Sequence, residues 1–213
     1  MSPADKKDFR FLPSSWIDTA LGIADRVSRP LVRLGVSPNG LSVLGLLSGL
    51  AIGLFYALDD AVLAAAFIVI CGILDILDGK VAANSGRRSL FGAMVDSSLD
   101  RYSEFLMLMG LAYHFRRGWG LWLTLLALLG SSMVSYTRAR AEGLGVDCSV
   151  GPMQRAERLV LLFIATVAGI ALRALDPALL AAVVAIAVAS NLTAIQRIFH
   201  VRRTEKSRSP KEV

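Results

Sequence analysis

Six apolar runs, each about as long as a bilayer is thick, dominate this chain of 213 residues and restrict it to few folds. Backbone groups inside a bilayer must satisfy their hydrogen bonds internally, and α-helices do so within one segment. The runs lie near residues 40–58, 61–83, 90–113, 119–141, 157–174 and 178–199. Hydrophobic residues make up 54% of the chain. The sequence therefore predicts an all-α integral membrane protein with six transmembrane helices.

A further helix is predicted ahead of these runs. Apolar residues from Trp16 to Leu34 recur at helical spacing with charged residues largely between them, which is typical of an amphipathic helix at the membrane interface. Gly35 and then Ser37-Pro38-Asn39 mark its end and the start of the next helix. We expect three segments: an N-terminal arm and interfacial helix at 1–36, a transmembrane domain at 37–200, and a basic flexible tail at 201–213.

Basic residues are distributed unevenly between the two ends of the predicted helices. Of 23 Lys and Arg, only Arg116, Arg117 and Arg173 fall on the side opposite the N-terminus. Because Lys and Arg accumulate in cytoplasmic loops, both termini are predicted to be cytoplasmic. The net charge of +6 suits contact with anionic membrane lipid, and no aromatic-basic pattern indicates nucleic-acid binding.

Four aspartates lie inside two of the apolar runs at helical spacing. Asp75 and Asp78 share one stripe of the second predicted span, and Asp96 and Asp100 are four residues apart on the third. A short connection makes these helices antiparallel, so we expect all four carboxylates at similar depth near the cytoplasmic end. An aspartate at the centre of a membrane helix costs roughly 2.5–3.5 kcal/mol on insertion scales, so the cluster requires compensating positive charge.

Divalent cations are the compensation that these residue types favour. Carboxylate oxygens suit Mg²⁺ or Mn²⁺, which usually hold substrate phosphates at the same time. Gly79, Ala82 and Gly92 would let a bulky phosphorylated ligand approach the backbone, although small residues also serve tight helix packing. The alternative for the aspartates is internal pairing with nearby basic residues, namely Lys80, Arg87, Arg88 and Arg101.

These residues resemble the signature of the CDP-alcohol phosphotransferases, D-x-x-D-G-x-x-A-R-x8-G-x-x-x-D-x-x-x-D. Seven of its eight specified positions match, and they are Asp75, Asp78, Gly79, Ala82, Gly92, Asp96 and Asp100. Ala83 stands where the family usually has Arg, and Lys80, Arg87 or Arg88 could reach the same region. The six spans, the interfacial helix and the Pro38-Asn39 entry to the first span agree with the same family.

The resemblance implies transfer of a phosphatidyl-type group from a CDP-linked lipid to a hydroxyl acceptor, with release of CMP. By similarity, Asp75, Asp78 and Asp96 hold two Mg²⁺ or Mn²⁺ ions on the diphosphate, while Asp100 shares a metal and takes the proton from the acceptor hydroxyl. The implied nucleotide-binding residues are Pro38, Asn39, Gly79, Ala82, Ser89 and Gly92. Such a transfer needs positioning and charge neutralisation more than covalent chemistry.

Arginines at the cytoplasmic ends of the last three spans are candidates for binding the acceptor. Together they would suit a phosphate, although a single arginine there can also serve only as an orientation signal. The strings at residues 135–142 and 155–158 are similar to those of bacterial phosphatidylinositol phosphate synthases, which implies inositol phosphate as the acceptor. The candidate pocket residues are Arg138, Arg155, Arg158 and Arg197.

Three alternatives stay open on the sequence alone. The same fold could use another acceptor such as glycerol phosphate, and a cation or proton transporter also places aspartates in a membrane. A prenyltransferase usually spreads its acids over two remote motifs, whereas all four here lie within 26 residues. The predicted partners are CDP-diacylglycerol, a phosphorylated polar acceptor, membrane lipid and a second copy of the chain in a homodimer.

Overall fold

The computed structural model describes residues 14–86 and 89–208, and every regular element within those ranges is an α-helix. This confirms the predicted all-α fold. Arg87 and Arg88, two of the basic residues named above, lie outside the described residues. The seven helices in chain order are α1 (Ser14–Arg33), α2 (Pro38–Ala57), α3 (Ala61–Asn84), α4 (Leu90–His114), α5 (Trp119–Gly143), α6 (Arg155–Ala171) and α7 (Leu175–Arg208).

Four of these helices are long and apolar enough to cross a membrane, which makes the chain an integral membrane protein. They are α2, α3, α5 and the Leu175–Ser207 part of α7. The first half of α4 carries charged residues from Asp96 to Glu104, and α6 has 17 residues with charges in its first turn. Both predicted spans are therefore helices, but their crossing of the membrane stays a prediction.

The last helix continues beyond the predicted domain boundary at residue 200. It ends at Arg208, with the Thr204 hydroxyl donating to the His200 carbonyl over 3.0 Å. Arg, Lys and Glu are good helix formers, so this polar segment extends the helix without apolar burial. The expectation of a flexible tail starting at residue 201 is thus wrong for residues 201–208, and residues 209–213 lie outside the described part of the chain.

Small residues bring α2 and α4 into close backbone contact. A Cβ atom built on Gly110 would meet the backbone of Gly53, and one on Gly49 would meet Ser103 Cα at 2.8 Å. Around this contact, a core of buried residues such as Ile52, Leu111 and Leu162 joins α2 and α4 to the helices that follow. Helix association inside a membrane depends on such packing because lipid tails are as apolar as the side chains.

We therefore expect Gly110→Ala to lower the melting temperature of the detergent-solubilised protein. The added methyl group must separate two backbones, and overpacking of this kind typically costs about 1–3 kcal/mol. Gly72→Ala is the matched control, because a Cβ atom at Gly72 in α3 would meet nothing within 4 Å. Equal melting temperatures for the two variants would contradict the close α2–α4 contact.

Polar contacts attach α1 to the end of α3. The Asn84 side-chain amide donates to the Asp25 carboxylate over 2.9 Å and to the Ser28 hydroxyl over 2.8 Å. The hydrogen bond from Asn84, followed by that from Arg29, lowers the pKa of Asp25 below its ordinary value. Ala24 of α1 packs with Leu77 and Val81 of α3 in a second apolar cluster. These contacts fix α1 beside the α3 segment that carries Asp75 and Asp78.

At the opposite end of the helices, His114, the last residue of α4, contacts two aspartates from other parts of the chain. Its Nδ1 lies 2.6 Å from the Asp59 carboxylate between α2 and α3, and its Nε2 lies 3.0 Å from the Asp176 carboxylate at the start of α7. Asp59 has a φ of 62°, a left-handed conformation that aspartate tolerates better than most residues. This end is therefore closed by polar contacts far from the four aspartates of the predicted site.

Candidate active site

α3 and α4 both pack against α2, and this arrangement brings the four aspartates into one region. Ser42 on α2 lies between two of them: its hydroxyl is 3.2 Å from Asp78 Oδ2 and 3.2 Å from Asp96 Oδ1. One hydroxyl proton can serve only one of these oxygens at a time. The Asp78–Asp96 pair therefore keeps an acceptor in need of a positive partner. Ser42 is not among the residues predicted from the sequence. It is 36 residues from Asp78 and 54 from Asp96, and local spacing does not indicate a contact over such separations.

The other two aspartates share one arginine. Arg155, the first residue of α6, donates through Nη1 to a carboxylate oxygen of Asp75 and to one of Asp100. The sequence pattern predicts Arg155 to be one of the acceptor-binding arginines and indicates other basic residues as partners for the aspartates. Among the described residues, Asp75 and Asp100 pair with Arg155 instead.

The residues fit divalent cations by their donor chemistry, although they are arranged as two pairs. No group of three or more His, Cys, Asp or Glu side chains within the described residues converges closely enough to hold one ion. Each pair nevertheless offers carboxylate oxygens of the type that Mg²⁺ and Mn²⁺ prefer. A guanidinium nitrogen already lies between Asp75 and Asp100, so a cationic group is accommodated at that point. Asp75, Asp78, Asp96 and Asp100 would be the ligands.

The predicted nucleotide-binding residues lie at the starts of α2 and α4 and on the exposed side of α3. The Ser89 hydroxyl caps α4 by accepting from the Gly92 amide over 2.9 Å, and Ser37 caps α2 through Gly40. A Cβ atom at Gly92 would lie 3.4 Å from Asn39 Oδ1, which shows that the two helix starts are neighbours. Free amides at helix N-termini favour anions such as phosphates.

Gly79 and Ala82 are placed differently from the packing glycines of α2 and α4. Gly79 is exposed, and a Cβ atom built there would meet nothing within 4 Å. Packing therefore does not explain Gly79, and room for a ligand near the backbone remains the better interpretation. Ala82 is half-buried, and the neighbouring Ala83, at the signature's unmatched position, is exposed.

A cavity of about 1230 Å³ adjoins two of the four aspartates, and the predicted acceptor-binding arginines lie along its wall. It extends from Asp75 and Asp100 across α4 and α5 to the start of α6. The four arginines that line it are Arg138, Arg155, Arg158 and Arg197. Their roles as ligands of a phosphate stay a prediction, because each of them has a protein partner in this structure.

Arg158 and Arg197 are the most firmly held of the four. Arg158, with a side chain only 1% exposed, donates to both carboxylate oxygens of Glu104 and to the Met153 carbonyl. Arg197 is buried and donates to the carbonyl oxygens of Val134 and Val150. Moving Arg158 would break a buried ion pair, and moving Arg197 would leave a buried charge without its carbonyl partners, so both arginines are expected to stay where they are.

Arg138 has the most accessible guanidinium of the set. Its side chain is 48% exposed and pairs with Glu142 one helical turn later over 2.8 Å. Such an exposed pair is worth little and is easily exchanged for a ligand. Arg101 also lines the cavity and donates to the Ser135 hydroxyl, although it was not predicted as a site residue.

The fold and the site together define a membrane protein with a carboxylate-rich region beside a basic cavity, suited to phosphorylated substrates that meet a bilayer. The chain belongs to the CDP-alcohol phosphatidyltransferase family, whose sequence model matches residues 35–201. The expected family resemblance is thereby confirmed, and the chain is an enzyme. Membership of this family favours a CDP-alcohol phosphatidyltransferase over the transporter and prenyltransferase alternatives.

Within this family, the chain is similar to synthases of inositol phosphate lipids. The chain is 34% identical over 180 residues to the archaetidylinositol phosphate synthase of Pyrococcus horikoshii, covering 84% of this chain and 90% of that protein. The crystal structure of the phosphatidylinositol phosphate synthase of Mycobacterium tuberculosis with CDP-DAG bound is similar, with a TM-score of 0.76 and 30% identity over 84% of this chain and 93% of that one.

A second structure of the mycobacterial enzyme, in complex with manganese and citrate, matches with a TM-score of 0.75 and 29% identity. The match covers 84% of this chain and 88% of the other. A manganese complex of a relative with the same fold agrees with the predicted use of Mg²⁺ or Mn²⁺.

Proposed function

We propose that this protein transfers the phosphatidyl group of CDP-diacylglycerol to the hydroxyl of inositol phosphate and releases CMP. The observation that carries the proposal is that Asp75 and Asp100 line the same cavity as Arg138, Arg155, Arg158 and Arg197. A cation-binding region suits the donor's diphosphate, and a basic cavity suits an acceptor that itself carries a phosphate. The Pyrococcus and Mycobacterium relatives are both named as synthases of an inositol phosphate lipid, which supports this acceptor.

Different residues of the chain bind the metal, accept the proton and hold the nucleotide in this reaction. Asp75, Asp78 and Asp96 would hold Mg²⁺ or Mn²⁺, which when bound neutralises the charge of the diphosphate. Asp100 takes the proton from the acceptor hydroxyl as the oxygen forms its bond to the lipid-linked phosphorus. The bond from that phosphorus to the oxygen of the CMP phosphate breaks, so CMP leaves and no covalent enzyme intermediate is needed. The helix starts near Asn39, Ser89 and Gly92 would hold the nucleotide.

The membrane arrangement that we propose has six spans, α2 to α7, with α1 lying along the interface. Nearly all of the Lys and Arg residues then fall on the side of the aspartates, which the positive-inside rule assigns to the cytoplasm together with both termini. A water-soluble acceptor would enter the cavity from that side, while the lipid part of the donor stays in the bilayer. Exposed apolar side chains on α2 and α3, such as Leu47, Leu54 and Ile73, suit contact with lipid or with a second copy of the chain.

An acceptor screen tests the proposed function. Purified protein in detergent is given CDP-diacylglycerol and Mg²⁺ or Mn²⁺, and CMP release is followed with inositol phosphate, inositol or glycerol phosphate. We expect release with inositol phosphate far above that with the other two acceptors. Equal rates with inositol and inositol phosphate would contradict a pocket for the acceptor's phosphate, and preference for glycerol phosphate would select the alternative acceptor.

Arg138→Gln should raise the KM for inositol phosphate and leave CDP-diacylglycerol binding nearly unchanged. A hydrogen bond to a charged group is worth about 1.5–3 kcal/mol, so kcat/KM is expected to fall about 10- to 150-fold. Arg140→Gln is the matched control, since Arg140 lies on the same helix turn, is exposed and does not line the cavity. An unchanged KM in Arg138→Gln would remove Arg138 from the acceptor site.

A further inference from the structure

Arg155 occupies a position that the proposed reaction does not explain. Its guanidinium, on a side chain only 12% exposed, lies between α3 and α4 and donates to both Asp75 and Asp100. Its Nη2 lies 3.9 Å from the sulfur of Cys71. The same two carboxylates are needed, in the proposed reaction, as a metal ligand and as the base.

A carboxylate oxygen that is paired with Arg155 is not available for either of these roles. The Asp100 oxygen that accepts a hydrogen bond from Arg155 is already occupied, so it cannot at the same time accept the proton of the acceptor hydroxyl. A divalent cation near Asp75 and Asp100 would also be repelled by a guanidinium within a few ångströms. The contact with Arg155 and the binding of metal by these carboxylates therefore compete with each other.

The way Arg155 is held distinguishes it from its neighbour Arg158. Arg158 binds a buried carboxylate and also donates to the Met153 carbonyl, so its guanidinium has a fixed backbone partner. Within residues 14–86 and 89–208, the guanidinium of Arg155 contacts side chains only, and Asp75 and Asp100 are 32% and 22% exposed. A cation from solution can thus reach the carboxylates, and Arg155 has a cavity of about 1230 Å³ beside it to enter.

We propose that Arg155 is a displaceable counter-ion of Asp75 and Asp100: it neutralises the pair when no divalent cation is bound, and it turns into the basic cavity when a cation takes the carboxylates. The inference rests on the proposed function, because it assumes that these aspartates bind metal. Its consequence is an order of binding. The freed guanidinium joins Arg138 on the cavity wall, so the cavity binds anions better after the metal is in place.

Metal affinity provides the first test. Purified protein, stripped with EDTA and dialysed, is titrated with Mn²⁺, and free Mn²⁺ is measured by electron paramagnetic resonance. Arg155→Gln removes the competitor, so the Kd for Mn²⁺ should become at least about tenfold tighter than in the wild type. Arg155→Lys should fall between the two, because it keeps the charge and loses the planar fork. Arg138→Gln removes a charge from the same cavity without touching the aspartates, and its Kd should stay within about twofold of the wild type.

A second test uses the wild-type chain, so it does not depend on the folding of a variant. Phenylglyoxal modifies accessible guanidinium groups, and peptide mass spectrometry reads the modification at each arginine. Arg155 should be protected in EDTA and become modified severalfold faster with Mn²⁺. Arg158, which is 1% exposed and bound to Glu104, should stay protected in both conditions and serves as the internal control.

The outcomes separate this inference from the proposed function. If the wild type binds Mn²⁺ with the same Kd as Arg155→Gln, and Arg155 labels equally with and without the ion, the counter-ion role is overturned while the metal site stands. If Asp78→Asn and Asp96→Asn bind Mn²⁺ as well as the wild type does, the metal site itself is lost, and this inference with it.

Discussion

Replacing Asp100 with asparagine should lower kcat by about 10²- to 10⁴-fold, the usual cost of losing a general base. Asparagine keeps the size of the side chain and cannot take a proton from the acceptor hydroxyl. Because Asp75, Asp78 and Asp96 remain, binding of CDP-diacylglycerol should change much less than kcat. The measurement is steady-state CMP release together with donor binding for the same preparation.

Ser97→Ala is the matched control for this experiment. Ser97 lies on the same helix and lines the same cavity, and its hydroxyl donates to the Met94 carbonyl of its own helix. Its kcat should stay close to that of the wild type. If the Asp100→Asn variant turned over like the wild type, the base would have to be another residue of the site.

Removal of divalent cations should abolish turnover, and Mg²⁺ or Mn²⁺ should restore it. Four clustered carboxylates repel the substrate's diphosphate unless cations lie between them. Asp78→Asn and Asp96→Asn each remove one charge, so metal affinity and CDP-lipid affinity should fall together, by more than about 100-fold for the metal. Full CMP release in excess EDTA would contradict the metal assignment.

Ser42 provides a graded comparison for that prediction. Its hydroxyl contacts Asp78 and Asp96, but it carries no charge. A side chain that only orients a metal ligand typically changes metal affinity or activity by about 10- to 100-fold when it is removed. Ser42→Ala should therefore weaken Mn²⁺ binding less than either aspartate variant. A larger loss in Ser42→Ala than in Asp78→Asn would contradict the assignment of the aspartates as the ligands.

The sequence predicted the helices well because apolar runs of membrane length permit little else. All six predicted spans correspond to helices in the structure, and the helix ahead of them is present as α1. The positions of Asp75, Asp78, Asp96 and Asp100 also followed from helical spacing and a short connection. These features depend on residues close together in the chain, where periodicity is informative.

The partners of the charged groups could not be predicted in the same way. Arg155 is 80 residues from Asp75 and 55 from Asp100, and their contact depends on how α6 packs against α3 and α4. Arg158 and Glu104 are separated by 54 residues, and Ser42 and Asp96 also by 54. Nothing in local periodicity specifies which basic residue reaches which carboxylate once several helices pack together.

The buried Glu104–Arg158 pair also changes how the acceptor site is interpreted. A buried charge pair is costly to form and costlier to break, so it is expected to fix the first turn of α6 against α4. Arg155 lies on that same turn and contacts Asp100 on α4. The pair therefore holds the start of α6 at a distance from which Arg155 reaches the aspartates, while Arg138 on α5 is the residue most available to a ligand.

The most direct test of the central claim follows the acceptor's phosphorus through the reaction. Inositol phosphate carrying radioactive phosphorus is incubated with the purified protein, CDP-diacylglycerol and Mn²⁺, and the label in the lipid fraction is compared with the CMP released. We predict one labelled phosphate in the lipid for each CMP, and neither product in EDTA. CMP release with all label left in the water phase, or labelling that persists in EDTA, would contradict a metal-dependent transfer to inositol phosphate.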